Sequence, residues 1–320
     1  MDIIGIAQPI KDLILVVDRL PDENSYTSLL DYSSQGGGKV STALVAASRL
    51  GMECAVAGTI GKDAKGKFVR EDFIRHGIQA DQLKVREEGK TGYCVCIAET
   101  YSPNRRFLGE RPTVRQLTPS ELDVGFLRQA RVIHLETPDA VSIAAAEFAK
   151  SQGITVSMDA DPYPEETGAL IEMERLIDIY IGSEAYFKVR SKGKPFRDTL
   201  YEIAEKGCRV AAVTMGEQGV EAVIDGEYIH IPAFRKLPVA DTTGAGDVFH
   251  GAFLSAWIKG LEPRQCLLFA SAASAIKCTG TGGRAGIPDW DMTNHFLETG
   301  ELLKKETIRE RELFYKNLVI

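Results

Sequence analysis

No run of lysine and arginine long enough to track a phosphate backbone occurs in these 320 residues, and the formal charge is −7. Both features argue against a nucleic-acid partner, whose affinity rests on neutralising phosphates. No uninterrupted apolar run approaches the roughly 20 residues of a membrane span, so no membrane partner is expected. The first residues, from Met1 to Ile6, lack the basic and long apolar stretches of a secretory leader, which makes a cytoplasmic protein the expectation. Six cysteines are present but no Cys-x-x-Cys pair. Cys94 and Cys96 alternate along an expected strand and face one side, yet two thiols with no further ligand nearby make a poor metal site. Reduced, structural cysteines are therefore expected. Internal repeats and low-complexity segments are also missing.

What is present is ordinary globular material, 44% hydrophobic and 26% charged. At this length one large α/β body with a small appendage is expected, so residues 1–320 are read as a single domain. The rhythm of strand and helix is clearest after Arg131. Strands are predicted over Val132–Leu135, Ile154–Met158 and Ile177–Ile181, with helices over Asp139–Ser151 and near Glu165–Glu174. Such alternation implies parallel crossover units. Two segments break it. Thr91–Thr100 and Arg105–Leu108, around a turn at Ser102-Pro-Asn104, read as a hairpin, and with Ser25–Ser34 they can form a small separate sheet. About 12–35 and 91–115 then make a β lid.

Chemistry concentrates where a strand ends and a helix begins. The stretch Val239-Ala-Asp-Thr-Thr-Gly-Ala-Gly-Asp-Val-Phe249 runs through a Gly-x-Gly turn into an apolar helix, which points backbone N–H groups at an anion site. Asp247 lies in the first turn of that helix. It can serve as a general base beside an anion hole, or the segment can be a plain helix cap with a tight turn. A second turn, Gln35-Gly-Gly-Gly-Lys39, enters a small-residue helix that Gly51 ends. It is not a phosphate-binding P-loop, since Ser33 and Val40 stand where that motif needs Gly and Ser/Thr. Lys39 remains available to an oxygen-rich ligand. Asp18, Glu136 and Asp159 each follow a predicted strand, and open α/β sheets bind ligands at those ends.

Together these motifs resemble the ribokinase-like (PfkB) carbohydrate kinases. Asp241-Thr-Thr-Gly-Ala-Gly-Asp247 is similar to their C-terminal signature, and Gly37-Gly-Lys39 before a small-residue helix to their N-terminal one, about two hundred residues apart. Asp18, His134-Leu-Glu136, Val213-Thr-Met-Gly-Glu-Gln-Gly219 and the late Ala-rich helix with its Gly turn extend the likeness over most of the chain. The resemblance implies a three-layer α/β sandwich with a mostly parallel central sheet and a small β-sheet lid. It also implies ATP-dependent, Mg2+-assisted phosphorylation of a sugar or sugar acid.

Carried over by position, Asp247 is the base, and Gly244, Ala245 and Gly246 form the anion hole. Asp18, Gly38, Lys39, Thr42 and Glu136 hold the acceptor. Thr214, Gly216, Gly219, Gly280 and Gly283 border the nucleotide. Asp241 and Thr243 match positions that bind a monovalent cation, K+, in some relatives. A homodimer joined through the lid is the expected assembly.

Two departures are visible. Thr42 stands where the family commonly has Asn, which removes or shortens one contact to a sugar hydroxyl. Ser183-Glu-Ala-Tyr186 replaces an Asn-x-x-Glu near the metal, as in ketohexokinase-like members. Alternatives are a nucleoside kinase, a phosphosugar kinase using Arg105 and Arg106, or a catalytically silent sugar sensor.

Overall fold

The computed structural model describes residues 1–101, 105–303 and 305–318. Along them run β1 (Ile3–Ala7), β2 (Ile10–Val17), β3 (Leu29–Gly37), α1 (Lys39–Arg49), β4 (Cys54–Gly61), α2 (Ala64–Arg75) and β5 (Gln79–Arg86). Next come β6 (Gly92–Glu99), β7 (Arg105–Glu110), α3 (Val124–Leu127), β8 (Val132–Leu135), α4 (Ala140–Ser151), β9 (Thr155–Asp159) and α5 (Thr167–Met173). The chain continues with β10 (Ile179–Ser183), α6 (Glu184–Ser191), α7 (Phe196–Ala204), β11 (Val210–Thr214), β12 (Val220–Ile224) and β13 (Glu227–Ile231). It closes with α8 (Ala245–Ile258), α9 (Pro263–Lys277), α10 (Trp290–Thr299) and α11 (Lys305–Lys316).

Nine strands form the large sheet in the order β13-β12-β11-β10-β9-β8-β1-β4-β5. It is parallel from β11 to β5, and β12 and β13 add an antiparallel hairpin at one edge. Its inner strands, such as β1, β4 and β11, read as largely apolar runs because both faces are covered. Alternate residues go to opposite sides: Ile179 and Ile181 join the core beneath α1, α2, α8 and α9, while Tyr180 joins the core beneath α4 to α7. The result is a three-layer α/β sandwich.

The small sheet has the order β3-β2-β6-β7. Its hairpins, β2–β3 and β6–β7, are antiparallel, and they meet along a parallel seam between β2 and β6. The expected turn Ser102-Pro-Asn104 lies outside the described residues. Two strand boundaries differ from expectation. β3 begins at Leu29 rather than Ser25, and β2 begins at Ile10, so Lys11 and Asp12 are inside the strand. Polar residues at its start hide that extension in the sequence.

Helix starts are of two kinds. Asp63, Asp139 and Asp289 accept from a backbone N–H in the first turn and cap α2, α4 and α10. α1 and α8 instead begin after Gly38 (φ 95°) and Gly244 (φ 75°), with no side chain of the cap residue bonded to the turn. A side chain other than Gly is strained at such φ values. These two helices pack side by side, so close at Gly251 that a Cβ there would strike the carbonyl of Ala43.

Candidate active site

Asp241 organises the turn that starts α8. One carboxylate oxygen accepts from the Thr243 N–H (2.8 Å) and hydroxyl (2.7 Å), and the other from the Gly282 N–H (2.8 Å). Arg105 of β7 reaches the same carboxylate at 3.3 Å. The fully buried Lys277, last residue of α9, donates to the Asp241 carbonyl at 2.7 Å. Burial alone would push this carboxyl up, but Lys277 and the two N–H donors outweigh it and hold it below the usual range. A Cβ on Gly244 would lie 2.9 Å from the Gly283 Cα, so the Gly244–Gly246 turn and the Gly280–Gly283 turn abut backbone to backbone. Gly246 is exposed, with open space where a Cβ would be. Asp247 is half-buried in the first turn of α8. Burial and the neighbouring Asp159 drive its pKa well above the ordinary carboxylate value, against the opposing pull of Lys39.

Lys39 opens α1 and points under the carboxyl ends of β8 and β9. Its ammonium donates to the carbonyls of Asp161 (2.9 Å) and Glu136 (3.3 Å) and lies 3.4 Å from Asp159 Oδ1. Burial would lower its pKa, but Asp159, Glu136, Asp161 and Asp247 together raise it, so the charge is permanent. Glu136 turns away from open space. Its carboxylate accepts from Val40 N (2.9 Å) and from Gln8 N, capping α1 from another strand. Burial raises its pKa as well. Thr42 is buried beneath the Gly283 backbone, with its hydroxyl 3.9 Å from a Cβ built there. Its neighbourhood is thus the second turn rather than the mouth of the crevice.

Asp18 and Asp12 stand in opposite settings. Asp18 lies beyond the far end of β2, exposed, with its carboxylate accepting from the Thr100 hydroxyl at 3.2 Å. Six residues earlier, about 20 Å along an extended strand, Asp12 is 8% exposed and its Oδ1 has no hydrogen-bond partner among the described residues. A Cβ at Gly37 would collide with both oxygens of Asp12, which fixes that carboxylate against the Gly-rich turn. Burial, against the pull of Arg284, pushes its pKa up to about 7. Asp12 also contributes to the raised pKa of Asp247. No feature of an apolar strand interrupted by Lys-Asp singles this residue out beforehand.

A buried polar layer supports the crevice. His250 of α8 lies 3.6 Å from Asp159, and its ring centroid is 5.3 Å from that of His134 on β8. His134 meets the Ser157 hydroxyl at 3.1 Å. Burial and the neighbouring His250 hold His134 down at about 3, and burial lowers His250, so both rings are neutral. Lys39 keeps Asp159 ionised against its burial. Asp161 just beyond β9 accepts from the Ser183 hydroxyl at 2.6 Å, and burial with Asp159 pushes its pKa to about 6.

Thr214 ends β11 and donates to the Gly182 carbonyl at 3.4 Å. Gly216 (φ 54°) leaves open space where a Cβ would be. Gly219 and Gly280 are close-packing positions: a Cβ would strike the Ile231 carbonyl at the first and lie 2.8 Å from the Gly286 Cα at the second. The arrangement brings a glycine-led helix start, a carboxylate of raised proton affinity in its first turn and the Lys39 cation into electrostatic reach of one another.

A family model described as "pfkB family carbohydrate kinase" matches residues 2–290. The chain belongs to the pfkB carbohydrate kinases. Among curated relatives, the ATP-dependent ribose-1-phosphate kinase of Halopiger xanaduensis is 27% identical, over 89% of this chain and 94% of its own. The nucleoside kinase of Methanothermobacter thermautotrophicus is 25% identical over 96% of each. The solved structure of Arabidopsis thaliana ribokinase complexed with ribose and ATP superimposes with a TM-score of 0.78 at 23% identity, covering 93% of this chain and 98% of that one. This pfkB member is therefore an ATP-dependent sugar or nucleoside kinase with the ribokinase-like fold.

Proposed function

We propose that the protein transfers the terminal phosphoryl group of ATP to a hydroxyl of an uncharged sugar or related polyol. The observation that carries this reading is Asp247, a carboxylate of raised proton affinity in the first turn of a helix whose glycine cap bonds no side chain to that turn, with Ala245 N held by the Thr242 carbonyl at 3.1 Å. As general base it takes the acceptor's proton, while the Gly244, Ala245 and Gly246 turn and the α8 dipole stabilise the charge on the phosphoryl oxygens. Lys39 adds positive charge on the acceptor side. Asp12 replaces Asp18 in the acceptor role, since it is the buried carboxylate with an unpartnered oxygen beside Gly37 and Gly38. Glu136 acts through the backbone of α1, and Thr42 through Gly283. Thr214, Gly216 and the Gly283 turn border the nucleotide, with Gly219 and Gly280 shaping their loops.

A magnesium ion suits the carboxylates at the end of β9. Asp161, raised by burial and then by the Asp159 carboxylate beside it, fits as an oxygen ligand; the ion would neutralise phosphate charge when bound. Potassium fits poorly. The Asp241 carboxylate and carbonyl and the Thr243 hydroxyl are all engaged with protein donors, and Lys277 already supplies a cation there. No step is assigned to it. Arg105 is held by Asp241 and Arg106 by Glu99 (2.9 Å), which favours an acceptor without a phosphate. Intracellular location and a homodimer through the lid complete the reading. Leu29 and Tyr32 on β3 and Leu108 on β7, on one face of the small sheet, are each about half exposed or more, which supports a covered face there.

Asp247→Asn tests the assignment. We expect an unchanged fold and a kcat lower by ~10²–10⁴, measured as ADP release across sugars, sugar acids, phosphosugars and nucleosides. Near-parental turnover would remove Asp247 from the role.

A further inference from the structure

Cys94 and Cys96 have a companion that the sequence conceals. In the parallel seam Asp12 is paired with Cys94, and Ile14 with Cys96. Paired residues of adjacent strands present their side chains on the same face. The Asp12 carboxylate and the two sulfurs lie within 4.8 Å of one another. The sulfurs are 3.8 Å apart. Two thiolates at ~2.3 Å from one tetrahedral zinc ion are themselves separated by about 3.8 Å. The unpartnered Asp12 Oδ1 supplies a third donor that is otherwise unsatisfied. Cys96 is buried, whereas Cys94 is half-buried and leaves a path of entry.

We infer that Asp12, Cys94 and Cys96 form a site for a thiophilic divalent cation, zinc by its donor set, and that the ion competes with the acceptor for Asp12. Two sulfurs and one carboxylate select zinc over magnesium, and three protein ligands leave one position open. Binding releases the two thiol protons to solvent, so affinity rises with pH. The competition rests on the kinase reading above; the site itself does not.

Cobalt(II) is the probe for the site. Titrated anaerobically into the reduced full-length protein without substrates, it is expected to give a thiolate-to-cobalt charge-transfer band that zinc abolishes. Cys94→Ser should weaken cobalt binding by more than ~10-fold, the loss seen for even an outer-shell partner. No such band in the parent, or an undiminished one in Cys94→Ser, overturns the site. Because Cys94 is half-buried, this variant avoids the cavity a change at Cys96 would leave. In the kinetic arm, with MgATP in excess, zinc should raise the acceptor KM of the parent at constant kcat and leave Cys94→Ser unaffected. Cobalt binding without a KM effect of zinc overturns the competition. No turnover on any acceptor defeats the kinase reading, and with it the competition, while the cobalt titration still decides the site.

Discussion

Among single residues, the contrast between Asp12 and Asp18 is the sharpest. Asp12 lies within β2 and is walled in beside Gly37, whereas Asp18 follows the strand and is exposed next to Thr100. A hydrogen bond to a charged group contributes ~1.5–3 kcal/mol, so Asp12→Asn should raise the acceptor KM roughly ten- to hundredfold. Asp18→Asn should leave KM at the parental value; equal effects from the two variants would undo the assignment. Asp12 also makes stability depend on pH. Its pKa rises from 3.8 unfolded to about 7 folded, so the folded state holds this proton more tightly. That contribution is complete below pH 3.8 and is lost as pH climbs through about 7. Thermal denaturation between pH 5 and 8 should therefore show a steeper decline for the parent than for Asp12→Asn.

At the level of elements, two glycine turns are strapped together by one buried arginine. Arg284 and Asp72 of α2 form a fully buried ion pair, and Arg284 also reaches the Gly37 carbonyl at 3.4 Å. Its own N–H donates to Gln35 Oε1 (2.8 Å), while Gln35 Nε2 donates to the Thr281 carbonyl (3.0 Å). The Gly280–Gly283 turn and the turn before Lys39 thus share a fastening. Removing one partner of a buried pair costs ~3–5 kcal/mol, and Arg284→Met should lower the urea midpoint accordingly. Adding Asp72→Asn should recover part of that loss; a strictly additive double variant would show that the pair is not coupled. None of this fastening was legible in the sequence, because Arg284 and Asp72 are 212 positions apart. What was legible is local: the glycine turns leading into α1 and α8, the strand alternation after Arg131 and the hairpin at β6–β7. Asp12 escaped because a charged pair ends an apolar run on paper, although in space it continues the strand. Glu136 was found by its place after β8. Its partners, Gln8 N and Val40 N, depend on long-range packing that no spacing rule contains.

For the molecule as a whole, the small sheet stands out by its uncovered apolar side chains. Edge strands that expose Leu30 and Phe107 invite pairing with another chain. A lid-joined homodimer predicts that Leu30→Asp with Phe107→Asp converts the sedimenting species to a monomer, with the far-ultraviolet spectrum preserved. A parent that sediments as a monomer would exclude it. The same sheet has a consequence for synthesis. Its two hairpins come from separate parts of the chain, and their seam is the parallel β2–β6 pairing. Gly92 follows Gly37 by 55 residues, the difference between those positions. At ~5–20 residues per second on the ribosome, the first hairpin waits several seconds for its neighbour, with the edge of β2 and the carboxylate of Asp12 uncovered. Translation speed through residues 38–91 therefore sets how long the nascent chain carries an open strand edge, and slow codons there lengthen the interval in which two nascent chains on one message can cross-pair.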